Sequence, residues 1–149
     1  MIIPHEAPKS WTAMVLFTPG SYLKTRRTAQ LLTLQDVASR IPTIARDAEH
    51  DLIAWLERIE ADVVPASITT IDALHSAFRF DRLVLAALAA IARGERDPAR
   101  TPRICRICAC TWRQPCTHGQ LTCGWVDGQD LCTACDHAPA ALPAGAAAA

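Results

Sequence analysis

The residues able to do chemistry are crowded into one stretch of the chain. All seven cysteines fall between Cys105 and Cys135, in the run C-R-I-C-A-C-T-W-R-Q-P-C-T-H-G-Q-L-T-C-G-W-V-D-G-Q-D-L-C-T-A-C. The run opens with a C-x2-C pair, Cys105 and Cys108, and closes with another, Cys132 and Cys135. Two such pairs about twenty residues apart have the spacing of a structural metal site. Each tight turn offers two thiolates to one ion, and two turns close a tetrahedron. The chemistry predicted is therefore coordination, with Zn2+ held by Cys105, Cys108, Cys132 and Cys135 in a closed site. The segment is too small and too rich in turns to bury a core of its own, so metal binding supplies most of its folding free energy.

Cys110, Cys116 and Cys123 remain, with His118 and His137 nearby. Cys110, Cys116, His118 and Cys123 would make a second, Cys3His site, so the expected complement is one Zn2+ or two. The grouping among the seven cysteines stays open at this level, and some of them can instead pack as small hydrophobes. An iron–sulfur cluster is the rival identity, because four thiolates suit it equally. Trp112 and Trp125 flank the ligands and are expected to shield the metal from water. The alternative is base stacking on single-stranded nucleic acid.

The elements that position this module lie before it. Residues 1–20 show no clean periodicity and are assigned to an N-terminal extension closed by the turn signal Thr18-Pro19-Gly20. Residues 21–93 have helical periodicity. Ser21 is a cap candidate for a first helix, and Thr33 caps a second with Leu34, Val37, Ala38 and Ile41 on one face. A third helix from about Arg46 to Ala61 aligns Leu52, Trp55, Leu56 and Ile59. Thr69 or Thr70 starts a fourth, with Ile71, Leu74, His75 and Phe78 inward. Asp81 caps a fifth, Arg82 to Ala92, apolar nearly all round and stopped by Gly94. Residues 94–104 form a basic linker, 105–137 the cysteine module, and 138–149 a low-complexity Ala/Pro tail expected to be disordered. The fold class predicted is mainly α: a five-helix bundle followed by a small Cys-rich, metal-stabilised module.

Two resemblances follow from these residues. Leu31-Leu32-Thr33-Leu34-Gln35-Asp36-Val37-Ala38 has the L-T-x-x-x-V/L-A shape of the second helix of the phage-repressor (Cro-like) helix-turn-helix family. Leu56-Glu57-Arg58-Ile59-Glu60, then Pro65-Ala66-Ser67, then Thr70-Ile71-Asp72-Ala73-Leu74 resembles that family's I-E…P-S…T-L-x-x-L stretch, and Phe78 to Leu85 matches its L-G-V-D-x-x-x-L. The segment between Ala38 and Ile59 is longer than the family's usual spacing. The cysteine run looks like a motif that recurs in small bacteriophage and prophage proteins. These resemblances imply a helix-turn-helix-like bundle and a DNA-binding transcriptional regulator of phage or mobile-element origin. Double-stranded DNA is the implied partner, with Arg26, Arg27, Arg40 and Arg46 as contact candidates.

Charge complicates that expectation. The formal net charge is zero, so the whole chain does not announce a nucleic-acid partner. From Ala45 to Asp62, the region of the recognition helix, Arg46 and Arg58 face Asp47, Glu49, Asp51, Glu57, Glu60 and Asp62. An acidic helix opposes phosphate binding. This keeps open a non-enzymatic protein-binding adaptor or inhibitor of a host complex, and a homodimer. A third alternative is an iron–sulfur or thiol redox sensor. The most basic stretch is Arg93 to Arg113, with Arg96, Arg100, Arg103 and Arg106 between, set against Glu95 and Asp97.

No enzyme is expected. The sequence carries no Gly-rich phosphate loop, no H-E-x-x-H, no G-x-S-x-G and no deaminase signature. No apolar run is long enough for a membrane span, and Met1 to Lys9 is not a secretory leader. The expected location is the cytoplasm of a bacterial host. Clustered thiols in that reducing compartment favour metal over disulfides.

Overall fold

In the computed structural model, residues 17–41 and 49–136 are described. The helices are α1 (Pro19–Ala29), α2 (Leu34–Arg40), α3 (Glu49–Glu60), α4 (Ile68–Ala77) and α5 (Arg82–Ala92). A 3-10 turn (Pro98–Arg100) follows in the linker, and two short strands and a one-turn helix in the cysteine segment. The protein is mainly helical, with a Cys-rich cluster near its C-terminal end. No described helix is long and apolar enough to cross a membrane. The tail at 138–149 and Trp11 lie outside the described residues.

The helices start where side chains can satisfy their free N–H groups. Thr18-Pro19-Gly20 is not a closing turn but the start of α1. Thr18 is the N-cap, Pro19 fills the first turn where no N–H is needed, and Ser21 completes a capping box with Thr18. Thr33 caps α2, with Asp36 reaching back to it. Ser67, rather than Thr69 or Thr70, caps α4, because its hydroxyl accepts the Thr70 N–H at 3.2 Å. Asp81 caps α5, and Gly94 closes it at φ 73°, a left-handed conformation that glycine adopts freely.

α1 packs against α3 and α5, while α2 packs against α3 and α4. The core gathers Tyr22, Leu23, Val37, Leu56, Ile59, Leu74, Phe80, Leu85 and Leu88. α5 is one-sided rather than central, since Leu83 is 62% exposed and Ala86 also faces outward. His75 is likewise exposed, its ring edge-on to Phe80 at 5.2 Å, while Phe78 takes the inward place.

Two contacts fix the first helix. The start of α1 lies against the end of α3 so closely that a Cβ on Gly20 would sit 2.5 Å from the Ile59 carbonyl oxygen. The Gly20 N–H donates to the Asp62 carboxylate at 2.7 Å, and the Thr18 hydroxyl donates to the same carboxylate. Further along, Tyr22 is fully buried, and its hydroxyl accepts the Asp81 N–H at 2.9 Å.

The side chain of Asp81 then joins the start of α5 to the cysteine segment. One oxygen accepts the Leu83 and Val84 N–H groups at 3.0 and 3.3 Å. The other accepts the Thr111 hydroxyl of the cysteine segment at 2.9 Å. Ile104 and Ala109 complete the junction by entering the helical core.

Two outcomes follow from this packing. Gly20→Ala drives a methyl into backbone and should lower stability by about 1–3 kcal/mol, read as a shifted urea midpoint with an unchanged slope. Burial pushes the Tyr22 hydroxyl from its ordinary 10.0 up to about 12. The raised value means that the folded state holds the proton more tightly than the unfolded one. The stability it contributes is complete below about pH 10 and is lost as pH rises through about 12. Tyr22 is the single tyrosine, so tyrosinate absorbance reports on it alone. Its midpoint should sit near 12 in folded protein and fall back to near 10 in denaturant.

Candidate metal centre

Three tight turns carry the cysteines to one place. The first spans Cys105 to Cys110: the Cys105 N–H donates to the Cys110 carbonyl at 3.0 Å, and the Ala109 N–H donates to the Cys105 carbonyl at 2.8 Å. Ala109 closes this loop at φ 56°, a strained conformation for a residue with a Cβ, and its methyl is fully buried in the helical core. The second turn is the hairpin of β1 (Thr117–His118) and β2 (Leu121–Thr122), with Gly119 at φ 65° in the bend. Cys116 and Cys123 flank its base, where the Cys123 N–H donates to the Cys116 carbonyl at 2.9 Å. The Cys116 N–H donates to the Cys123 Sγ at 3.2 Å.

The third turn is a bridge between Trp125 and Cys132 around Gly128, leading into α6 (Thr133–Asp136). One turn of this helix brings Cys135 back beside Cys132, with its N–H on the Cys132 carbonyl at 3.0 Å. The Arg106 N–H donates to the Asp130 carbonyl at 2.9 Å and ties the first turn to the third. Arg103 holds the third turn from outside. Its guanidinium lies 4.4 Å from the Trp125 ring centre and donates to the Val126 and Gln129 carbonyls.

The sulfurs form two quartets, each with all ligand atoms within 4.8 Å of one another. One is Cys105, Cys108, Cys132 and Cys135. The other is Cys108, Cys110, Cys116 and Cys132. The Cys108 and Cys132 sulfurs are 3.7 Å apart, and those of Cys110 and Cys123 are 3.8 Å apart. Zn–S bonds of about 2.3 Å in a tetrahedron place sulfurs about 3.8 Å apart, so this spacing suits a single tetrahedral ion. The Cys108 and Cys116 sulfurs are closer, at 3.3 Å.

Proton affinities show why such a cluster wants a cation. Hydrogen bonds from Cys108 and Cys110 pull the Cys105 thiol far down. The two donors are in turn pushed up by giving those bonds to Cys105. Burial pushes Cys123 up, and raises Cys135 to about 12. Ionising these buried thiols together needs a compensating positive charge, which a divalent ion supplies.

The first expected quartet is thus brought together. Of the second, Cys110 and Cys116 lie with Cys108 and Cys132, and Cys123 stands beside Cys110. The side chain of His118, and His137 as a whole, lie outside the described residues. Trp125 is half-buried against the sulfur cluster, whereas Trp112 is 70% exposed and shields nothing.

The arginines also sort themselves. Arg27 is buried, with Nε and Nη2 on the two Glu60 oxygens at 2.6 and 2.8 Å and Nη1 on the Leu32 carbonyl at 2.7 Å. Its hydrogen bond with Glu60 raises its proton affinity further. Arg26 is buried too, with Nη1 on the Cys108 carbonyl at 3.2 Å. Helical spacing carries the hint: Arg26 and Arg27 stand four residues after the core residues Tyr22 and Leu23, on the same face. Arg40 is exposed and donates to the Ala77 carbonyl at 3.2 Å. Arg46 lies outside the described residues. Sequence reasoning missed the Asp81–Thr111 link and the shared position of Cys108 and Cys132, because neither leaves a local pattern. Comparison of the chain with protein families, curated proteins and solved structures gives no match.

Arg27→Ala leaves Glu60 nearly buried without its partner, and should cost about 3–5 kcal/mol in urea unfolding. A strong chelator at neutral pH should open the cysteine segment, read as rapid reaction of its thiols with a thiol reagent and a change in tryptophan fluorescence. Metal affinity should fall as pH is lowered, since protons compete for the thiolates.

Proposed function

We infer that this protein is a DNA-binding transcriptional regulator of phage or mobile-element origin, with a helix-turn-helix-like helical half stiffened by a structural zinc module. The observation that carries the reading is the way α1, α2 and α3 are locked. Thr33 caps α2 within the repressor-like L-T-x-x-x-V-A stretch, and α2 packs on α3. Glu60, from the I-E pair that ends α3, is held by Arg27 of α1. A recognition helix must be held rigidly against its neighbours to enter the major groove in one register.

Phosphate contacts come from the exposed cations. Arg40 and Lys24 are exposed in the helical half, and Arg46, which lies outside the described residues, remains a candidate on the sequence alone. Arg26 and Arg27 act from inside, positioning α1. The exposed Arg96, Arg100, Arg106 and Arg113 extend the basic surface along the linker and the cysteine segment. Zn2+ suits the module better than an iron–sulfur cluster. Ligands of a cluster embrace several irons and sulfides and stand apart, whereas the sulfurs of each quartet lie within 4.8 Å of one another, a spacing that suits one ion.

The test is DNA selection followed by charge reversal. Arg40→Glu with Arg46→Glu should weaken binding about tenfold or more and lower the salt slope by about one per lost contact. Unchanged affinity and unchanged salt slope would sink the reading.

One observation favours a second reading, a protein-binding adaptor. Trp112 is 70% exposed, with Arg113 over its ring, and Ile107 is 56% exposed. Tryptophan and arginine are the residues that dominate binding energy at protein interfaces. Capture of one host protein that survives nuclease treatment, and is lost in Trp112→Ala, favours the adaptor.

A further inference from the structure

The two sulfur quartets are not separate. Cys108 and Cys132 belong to both. Two independent all-thiolate tetrahedra need eight sulfurs, and the chain has seven cysteines. Two tetrahedra that share an edge need six, which is the number in the two quartets combined. The shared pair has the length of such an edge, 3.7 Å.

We propose that the cysteine segment holds a single binuclear centre: two divalent, thiophilic, tetrahedral ions of the zinc class, bridged by the thiolates of Cys108 and Cys132. Cys105 and Cys135 complete the first ion, and Cys110 and Cys116 complete the second. Cys123 stands outside the ligand set. It accepts the Cys116 N–H and so orients that ligand from behind. The proposal rests on the metal-binding reading of this segment and is independent of the DNA-binding one.

The charge balance is explicit. Six thiols lose six protons to solvent, and two divalent ions replace them. The loaded centre carries a net charge of two minus. A residual negative charge in a nearly dry site needs a cation beside it. Arg26 provides one. Its side chain is buried, its Nη1 donates to the carbonyl of the bridging residue Cys108, and its Nε has no hydrogen-bond partner among the described residues. A buried, incompletely satisfied guanidinium next to a neutral thiol cluster would be costly. Beside an anionic metal–thiolate centre its charge is compensated.

Bridging also explains the order along the chain. The first turn gives Cys105 to one ion, Cys108 to both and Cys110 to the other. The third gives Cys132 to both and Cys135 to the first. Only Cys116 comes from the β1–β2 hairpin. The first ion therefore draws on the first and third turns, the second on all three, and both clamp the first turn to the third.

The experiment uses the full-length protein reconstituted with cadmium-113, together with native mass spectrometry of the zinc form. Two ions per chain are expected, with two cadmium resonances that split each other through the bridging sulfurs. Cys123→Ala should keep both ions and the splitting. Cys110→Ala should lose the second ion while keeping the first, and Cys108→Ala should compromise both. The wild-type splitting stands whether or not the Cys108 variant folds. A single ion per chain, two resonances with no mutual splitting, or loss of an ion in Cys123→Ala would each overturn the proposal. No ion at all would remove the metal-binding reading with it, whereas failure to select DNA would touch neither.

Discussion

A buried carboxylate organises this molecule. Asp81 is 5% exposed, and a charge taken out of water destabilises a fold unless its lone pairs are satisfied. Here they are satisfied from different directions. Two N–H groups of α5 cover one oxygen, and the Thr111 hydroxyl covers the other. The backbone N–H of the same residue is taken by Tyr22 of α1. Side chain and backbone of Asp81 together fix the start of α5, the face of α1 and the seating of the cysteine segment in one place. Loss of any of the three partners leaves a buried polar group short of a hydrogen bond, so the parts are energetically coupled.

That coupling bears on how the cysteine segment relates to the helices. It has its own small cluster of Cys105, Cys108, Cys110, Leu131 and Cys132. It also sends Ile104 and Ala109 into the helical core and receives Arg26 from it. The basic linker is exposed through Arg100 and then becomes part of the packing at Ile104. A segment with so little apolar volume cannot hold three tight turns by burial alone. The two sulfur quartets are spaced so that a bound ion would supply what the core lacks.

The ends of α1 and α3 illustrate a second economy of design. Gly20 permits backbone contact that no larger residue allows, and Asp62, itself at φ 58°, returns its carboxylate to that N–H. Arg27 and Glu60 close the other side of the same contact. Held at both points, α3 keeps its axis relative to α1.

Some of this was legible in the chain. The clustering of cysteines, the C-x2-C pairs, the helical periods and the caps at Thr33 and Asp81 are local patterns, set by neighbours within a few residues, and the sequence by itself determined them. The start of α1 was misjudged because Thr-Pro-Gly suits both a turn and a helix N-terminus, and only the acceptor at Asp62, far along the chain, decides between them. The inward path of Arg26 and Arg27 was likewise open until a partner carboxylate and carbonyl were in place. Tertiary structure alone decided the grouping of sulfurs. Ligand spacing along a chain says which cysteines share a turn, but which turns converge depends on hairpin bends, on Ala109 packed into the helical core and on Asp81 drawing Thr111 inward.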